Sequence, residues 1–298
     1  MTTVGMIGLG IMGSAMSANL VKARYRVVGY DVLASRRTAH ARAGGIAVTT
    51  CREVGRRAAV IVCSLPSAAA LAETAAALAA EPGAARIVIE ASTLPLAAKE
   101  DARRRFAAAG VTLLDCPLSG TGAQARVKDL VVYASGVRAA YRRVAPVLSA
   151  FARAHYYVGP FGAGSKAKYV ANLLVAVHNV AAAEALVLAM KAGLDPALTL
   201  KVIADGAGSS RMLQLRGPMM VRGDYSKPTM KLDVWQKDMT IIADFARDVG
   251  CPTPLFSLTA PLYAAALAMG REQEDTGAVC AVLEALAQYR RPSRRRRA

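Results

Sequence analysis

Three glycines near the amino terminus limit what this chain can fold into more than any other feature. They stand as Gly8-Leu9-Gly10-Ile11-Met12-Gly13, where a short apolar run, Val4–Leu9, gives way to a helical pattern, Met12–Ala23. The first glycine permits a tight turn, the second lets a ligand approach the backbone, and the third lets helix pack closely on strand. The helix start then offers N–H groups and a positive dipole end to a pyrophosphate. A second apolar run, Arg26–Tyr30, leads directly to Asp31. A carboxylate there accepts hydrogen bonds from both hydroxyls of an adenosine ribose and repels a 2′-phosphate. The pattern predicts a dinucleotide site built from Gly8, Leu9, Gly10, Ile11, Met12, Gly13 and Asp31, with NAD as cofactor. NADP stays as the alternative because Arg36 and Arg37 lie nearby, although both read as solvated side chains on the next helix.

The alternation continues through the first half of the chain. Ala59–Ser64, Ile87–Ala91, Val111–Leu114 and Leu130–Ala134 repeat the strand signal between Ala-rich helical stretches such as Ala68–Ala80. Such spacing predicts βαβ units and a doubly wound, mostly parallel sheet covered on both faces. The character changes after Gly159-Pro160-Phe161-Gly162, beyond which no strand pattern occurs. Ser165–Ala192 reads as one helix, roughly 40 Å long at 1.5 Å per residue. Gly193 ends it, and Asp195-Pro196 opens the next. Helical patterns recur at Ala197–Ala204, Leu232–Val249, Leu258–Met269 and Thr276–Tyr289. The expected organisation is an α/β Rossmann domain over 1–162 and an all-α domain over 163–290 that includes the long connecting helix. A basic, disordered tail is expected over 291–298.

Composition removes several classes. With 54% hydrophobic and 20% charged residues the chain is neither disordered nor fibrous. The longest clean apolar runs, Leu173–Val177 and Ala185–Met190, fall far short of the roughly 18 residues of a membrane span, so no membrane association is expected. Five scattered cysteines and three scattered histidines show no metal-ligand spacing, and the first residues show no signal-peptide pattern. A cytoplasmic protein with reduced thiols and no metal is expected. The net charge is +17, but Arg290, Arg291 and Arg294–Arg297 supply six of the positive charges in one run. The remaining cations are scattered and aromatics are only 5%, which argues against nucleic acid and suits an anionic small molecule.

Four motifs in order give the chain a recognisable likeness. Gly8–Leu20, reading GLGIMGSAMSANL, resembles the opening of the β-hydroxyacid dehydrogenases, the 3-hydroxyisobutyrate dehydrogenase and tartronate semialdehyde reductase family of the 6-phosphogluconate dehydrogenase superfamily. Asp115-Cys116-Pro117-Leu118-Ser119-Gly120-Thr121-Gly122-Ala123 resembles the family's substrate loop. Gly162–Asn172 is similar to its G-x-G-x-x-x-K-x-x-N-N, and Lys237-Asp238-Met239 to its K-D-L. The resemblance implies an NAD-dependent enzyme that interconverts a short β-hydroxyacid and its semialdehyde. It implies Lys168 as general acid/base, Asn172 positioning the substrate, and Ser119, Gly120 and Thr121 gripping a carboxylate. It further implies that Leu65, Pro66, Thr93 and Lys237 meet the cofactor. The spacing agrees with the catalytic pair, since Lys168 and Asn172 are one turn apart near a helix start. A partly desolvated lysine beside a positive helix end has its charged form disfavoured. Lys166 falls on another face. The chain departs from the family pattern at Ala70, Glu90, Pro95, Thr121 and Ala171.

Other conspicuous residues read as packing. His178 lies off the Lys168 face and reads as a core or subunit contact, and Trp235 and the Met-rich stretch Met212–Met230 read as core or pocket wall. Arg211, after Ser209-Ser210, reads as a loop arginine able to meet a substrate's far anion. The alternatives weighed are an imine reductase, against which the presence of Lys168 argues, and a non-catalytic, nucleic-acid-associated scaffold suggested by the basic charge. The resemblance also implies a homodimer or homotetramer.

Overall fold

In the computed structural model, which describes residues 2–291, the chain divides into two compact units, 1–168 and 169–298. Unit one alternates strand and helix as the apolar runs require. It holds β1 (Thr3–Ile7), α1 (Ile11–Lys22), β2 (Arg26–Tyr30), α2 (Ala34–Arg42), β3 (Ile46–Ala47), α3 (Cys51–Arg57) and β4 (Val60–Cys63). There follow α4 (Ala68–Ala80), β5 (Ile87–Glu90), α5 (Leu96–Ala108), β6 (Thr112–Asp115), β7 (Leu118–Ser119), α6 (Gly122–Arg126), β8 (Val131–Ser135), α7 (Arg138–Phe151) and β9 (Ala154–Gly159). The strands form one sheet in the order β3-β2-β1-β4-β5-β6-β8-β7, with β9 on β8. Every pair from β3 to β6 is parallel, while β8, with β9 parallel beside it, runs against β6 and β7. The sheet is therefore doubly wound and mostly parallel, as expected.

Both faces are buried, which explains why the strands read as continuous apolar runs. Val4, Met6, Ile89 and Leu114 join Met16, Leu20 and Phe151 in one apolar cluster. Ile7, Val88 and Leu113 join Leu71, Leu78 and Phe106 in another. Neighbouring residues of one strand thus face opposite layers, the period of two that a strand imposes. The parallel register sets Tyr30, Ile7, Cys63, Glu90 and Asp115 side by side, so five strands end at one level. The strands β3, β7 and β9 carry no apolar run, and only their neighbours in the sheet define them.

Unit two contains most of α8 (Ala163–Lys191), then α9 (Pro196–Asp205), α10 (Arg211–Arg222), α11 (Leu232–Asp248), α12 (Pro254–Ala268), a 3₁₀ turn at Thr276–Ala278 and α13 (Val279–Leu286). No strand lies beyond Gly159 among the described residues. Trp235 and Tyr263 stack edge to face, 6.1 Å apart, in a core shared with Ala176, Ala183, Leu186 and Met220. Trp235 and part of the Met-rich stretch are core, as read, whereas His178 is half-buried.

Three expectations need correction; apart from these, the division between compact units falls inside α8, six residues past the expected 162/163 boundary. Its physical cause is that Gly164 and Ser165 are bonded to Ser135 and Asp115 of the sheet. Arg211 is not on a loop: it opens α10, with the Ser210 hydroxyl capping the helix through the Leu213 N–H. The tail does not begin at Arg291, whose guanidinium donates to the carbonyls of Val221 (2.7 Å) and Met220 and pairs with Glu284. The rest of the expected tail, 292–298, lies outside the described residues. Finally, α8 has a mean hydropathy of 1.9 over 18 residues, long and apolar enough to cross a membrane by length and composition. The clean runs missed this because Asn172, His178, Asn179 and Glu184 interrupt the alanines and leucines without offsetting them. Half of that window is buried inside the protein, and Asn179 within it donates to Tyr263 and the Thr276 carbonyl.

Candidate active site

The candidate residues of unit one gather because five strands end together. Gly8 follows β1, Asp31 follows β2, Leu65 and Pro66 follow β4, Thr93 follows β5, and beyond β6 the chain forms the short β7, which ends at Ser119 and leads into Gly120 and Thr121. All lie beyond the carboxyl ends of parallel strands, where an open α/β sheet leaves room for a ligand.

The glycine loop fits a pyrophosphate. Gly8 has φ +86°, and a Cβ there would stand 2.1 Å from the Ser64 carbonyl oxygen. On Gly13 it would stand 1.9 Å from the Gly8 oxygen, so both positions need glycine for close packing. A Cβ on Gly10 meets nothing nearer than Arg36 at 3.8 Å. That second glycine borders open space at the start of α1, and its helix has no side-chain cap. The first-turn N–H groups of Ile11, Met12 and Gly13 are the donors an anion would use.

Asp31 is buried, and its carboxylate accepts the N–H groups of Leu9 at 2.8 Å and Leu33 at 2.9 Å. A carboxylate offers about four lone-pair sites, so capacity for ribose hydroxyls remains. Arg36 and Arg37 are not simply solvated. Arg36 reaches the Asp31 carboxylate at 3.3 Å, while Arg37 donates to the backbone carbonyls of Asp31 and Val32. The charge that would repel a 2′-phosphate is therefore partly offset.

The substrate loop differs from its reading in one respect. Thr121 is the N-cap of α6, and its hydroxyl and N–H both engage Gln124 in a capping box. Its hydroxyl is committed to the helix, so of the three loop residues expected to grip a carboxylate it has the least capacity to spare. The signal was legible, because Thr121 and Gln124 have capping-box spacing.

On α8, Lys168 is only 9% exposed and Asn172 is also buried, whereas Lys166 is exposed. The Asn172 amide nitrogen donates to Asp238 Oδ2 at 2.9 Å. A carboxylate only accepts, so this contact fixes the amide orientation and leaves Oδ1 as an acceptor. Lys237 sits beside it and pairs with Asp238 at 3.4 Å. Sequence reasoning had assigned no role to Asp238.

It also passed over Lys99. This side chain is fully buried at the ends of β5 and β6, with Nζ 2.6 Å from Glu90 Oε2, 2.8 Å from Asp115 Oδ1 and 2.7 Å from the Ser92 carbonyl. Burial alone would push its pKa down, but the two carboxylates outweigh that and hold it well above the usual lysine range. No sequence signal marks it, because Ala98-Lys99-Glu100-Asp101 reads as a solvated helix face.

Comparison with known proteins settles the family. Residues 3–159 match the NAD binding domain of 6-phosphogluconate dehydrogenase, and residues 162–283 match the NAD-binding of NADP-dependent 3-hydroxyisobutyrate dehydrogenase. This chain belongs to the β-hydroxyacid dehydrogenase family. It is 34% identical to L-threonate dehydrogenase of Cupriavidus necator, over 93% of this chain and 94% of that one. It is 29% identical to 2-hydroxy-3-oxopropionate reductase of Escherichia coli, over 96% and 99%. Among solved structures, Mycobacterium tuberculosis 3-hydroxyisobutyrate dehydrogenase with L-serine superposes with a TM-score of 0.86 at 30% identity, covering 95% and 99%. As a β-hydroxyacid dehydrogenase, the protein is an NAD(P)-dependent oxidoreductase that interconverts a hydroxyacid with its semialdehyde or keto form. It is an enzyme, which sets the scaffold reading aside.

Proposed function

We propose that this enzyme acts on a short β-hydroxyacid through Lys168 as general acid/base, with Ser119 and Gly120 holding the substrate carboxylate. The observation that carries this reading is a buried lysine one turn from a buried, oriented asparagine, on a helix whose start is fastened to the carboxyl edge of the sheet. The nicotinamide supplies the hydride chemistry when bound. Lys168 Nζ takes the hydroxyl proton during oxidation and returns it to the carbonyl oxygen during reduction. Asn172 Oδ1 accepts from the substrate hydroxyl or the lysine ammonium, keeping the exchanged proton in line. The Ser119 hydroxyl and the Gly120 N–H fix the acid, and so decide which carbon is presented to the cofactor.

Cofactor contacts are assigned to Gly8 through Gly13, Asp31, Leu65, Pro66 and Thr93, with Lys237 assigned on its resemblance to the family motif. NAD is preferred because Asp31 bears a buried carboxylate at the ribose position. A homodimer or homotetramer is favoured by apolar side chains exposed on the helices, among them Leu188 on α8 and Leu198 and Val202 on α9. A cytoplasmic setting suits the five unpaired cysteines. The decisive experiment is Lys168→Ala. We expect kcat to fall about 10²–10⁴-fold while cofactor still binds, and Lys166→Ala to change little. Turnover of Lys168→Ala within about threefold of the parent would remove Lys168 from the reaction, since acid–base help is worth far more than that.

A further inference from the structure

The buried charges beneath the site are more than a structural ion pair. Lys99 holds Glu90 at the end of β5 and Asp115 at the end of β6, and all three are fully buried. Glu90 Oε1 accepts the Ser92 N–H at 3.0 Å, and Ser92 Oγ accepts the Leu65 N–H at 2.7 Å. Asp115 accepts the Ser165 N–H and the Ser165 hydroxyl, each at 2.8 Å, while the Ser135 hydroxyl accepts the Gly164 N–H at 2.9 Å. One ammonium thus ties together the segments that carry Leu65, Thr93 and Ser119 and the first turn of α8. Gly164 makes this approach feasible, since a Cβ there would stand 2.4 Å from the Tyr133 carbonyl oxygen and 2.7 Å from that of Asp115.

Stability alone does not account for such a cluster. Burying two carboxylates and one ammonium is costly, and apolar replacements of buried ion pairs are often neutral or better. Here the second carboxylate is compensated by the start of α8, where N–H groups and the helix dipole favour an anion. The excess negative charge is therefore stable only while α8 begins where it does. Ser165 and Lys168 are three residues apart and hence neighbours on the helix surface.

We infer that Lys99, Asp115 and Ser165 are positioning residues for Lys168, fixing the first turn of α8 against the loops that hold cofactor and substrate. The inference rests on Lys168 being the acid/base group. Proton transfer demands hydrogen-bond reach, so a small shift of that turn moves Nζ out of range.

A double-mutant cycle on the full-length enzyme tests it, with kcat, KM, reduced-cofactor affinity and Tm measured for each variant. Ser165→Ala removes one donor to Asp115 and leaves the backbone bond. It is expected to lower kcat about 5–30-fold, less than the roughly 10²-fold that an ångström of misplacement costs. KM and cofactor affinity should stay within about twofold, and Ser165→Thr should recover most of the loss. In the Lys168→Ala background, Ser165→Ala should lower residual turnover by less than about twofold, because residues that act through one group are not additive. Lys99→Met should lose more than Ser165→Ala, though it risks misfolding, so Ser165 decides the matter. A fall in Tm with kcat unchanged, or an equal loss with and without Lys168, would overturn the inference. Should Lys168→Ala itself keep its turnover, the failure lies in the catalytic assignment, and that is seen before the cycle is built.

Discussion

Asp31 and Arg36 show how one residue's neighbours alter its meaning. The carboxylate is held by two backbone N–H groups and faces a guanidinium 3.3 Å away whose side chain is about half exposed. Such an exposed partner is weakly held and can turn toward a phosphate. Asp31→Ser should weaken NAD binding about tenfold if the carboxylate accepts the two ribose hydrogen bonds proposed for it, each worth about 0.5–1.5 kcal/mol. It should also narrow the discrimination against NADP. Arg36→Ala should do the reverse, sharpening the preference for NAD by leaving the carboxylate's charge unopposed. Dissociation constants for both reduced cofactors, read by fluorescence titration, check the pair. A parent enzyme that already prefers NADP would make Arg36, rather than Asp31, the determinant.

At the scale of elements, α6 and α8 begin in different ways. The five-residue α6 depends on its Thr121–Gln124 capping box. Thr121→Ala is expected to cost about 0.5–2 kcal/mol of stability, the usual worth of a cap, with little change in KM for the acid. Ser119→Ala should instead raise KM with little effect on Tm. Thermal melts and steady-state kinetics on the two variants separate a capping hydroxyl from a substrate-binding one, and the reverse pattern would return Thr121 to the substrate site. The first turn of α8 is bonded to buried side chains of the sheet, which is why this helix starts in one unit and continues in the other. Its apolar length is legible along the chain, but its anchoring is not. The donors and acceptors concerned, Asp115, Ser135 and Ser165, are spread over fifty residues.

For the molecule as a whole, the carboxyl-terminal arginines divide at position 291. Arg291 donates to the carbonyls of Met220 and Val221 in the last turn of α10, where the helix dipole favours a cation. Arg291→Ala should lower stability by about 1–2 kcal/mol, the range for hydrogen bonds from a charged group reduced for partial exposure. Removal of 292–298 should leave Tm, kcat and KM unchanged, and a melt of each variant checks both. A loss of turnover on that truncation would show that the terminal arginines serve the reaction. The sequence by itself determined the Rossmann architecture and the cofactor class, because these depend on local order. Strand alternation and glycine spacing before a helix survive in any reading along the chain, whereas the i, i+4 spacing of Lys168 and Asn172 only set them on one helix face. The capping-box spacing of Thr121 and Gln124 was legible along the chain, but only the tertiary structure decided that Asp238 orients Asn172 and that Lys99 joins the loops of the candidate site. Those contacts bind residues distant in sequence. Burial then sets their worth, since a charge in a solvated helix face and a charge sealed beneath an active site look alike until the chain has folded.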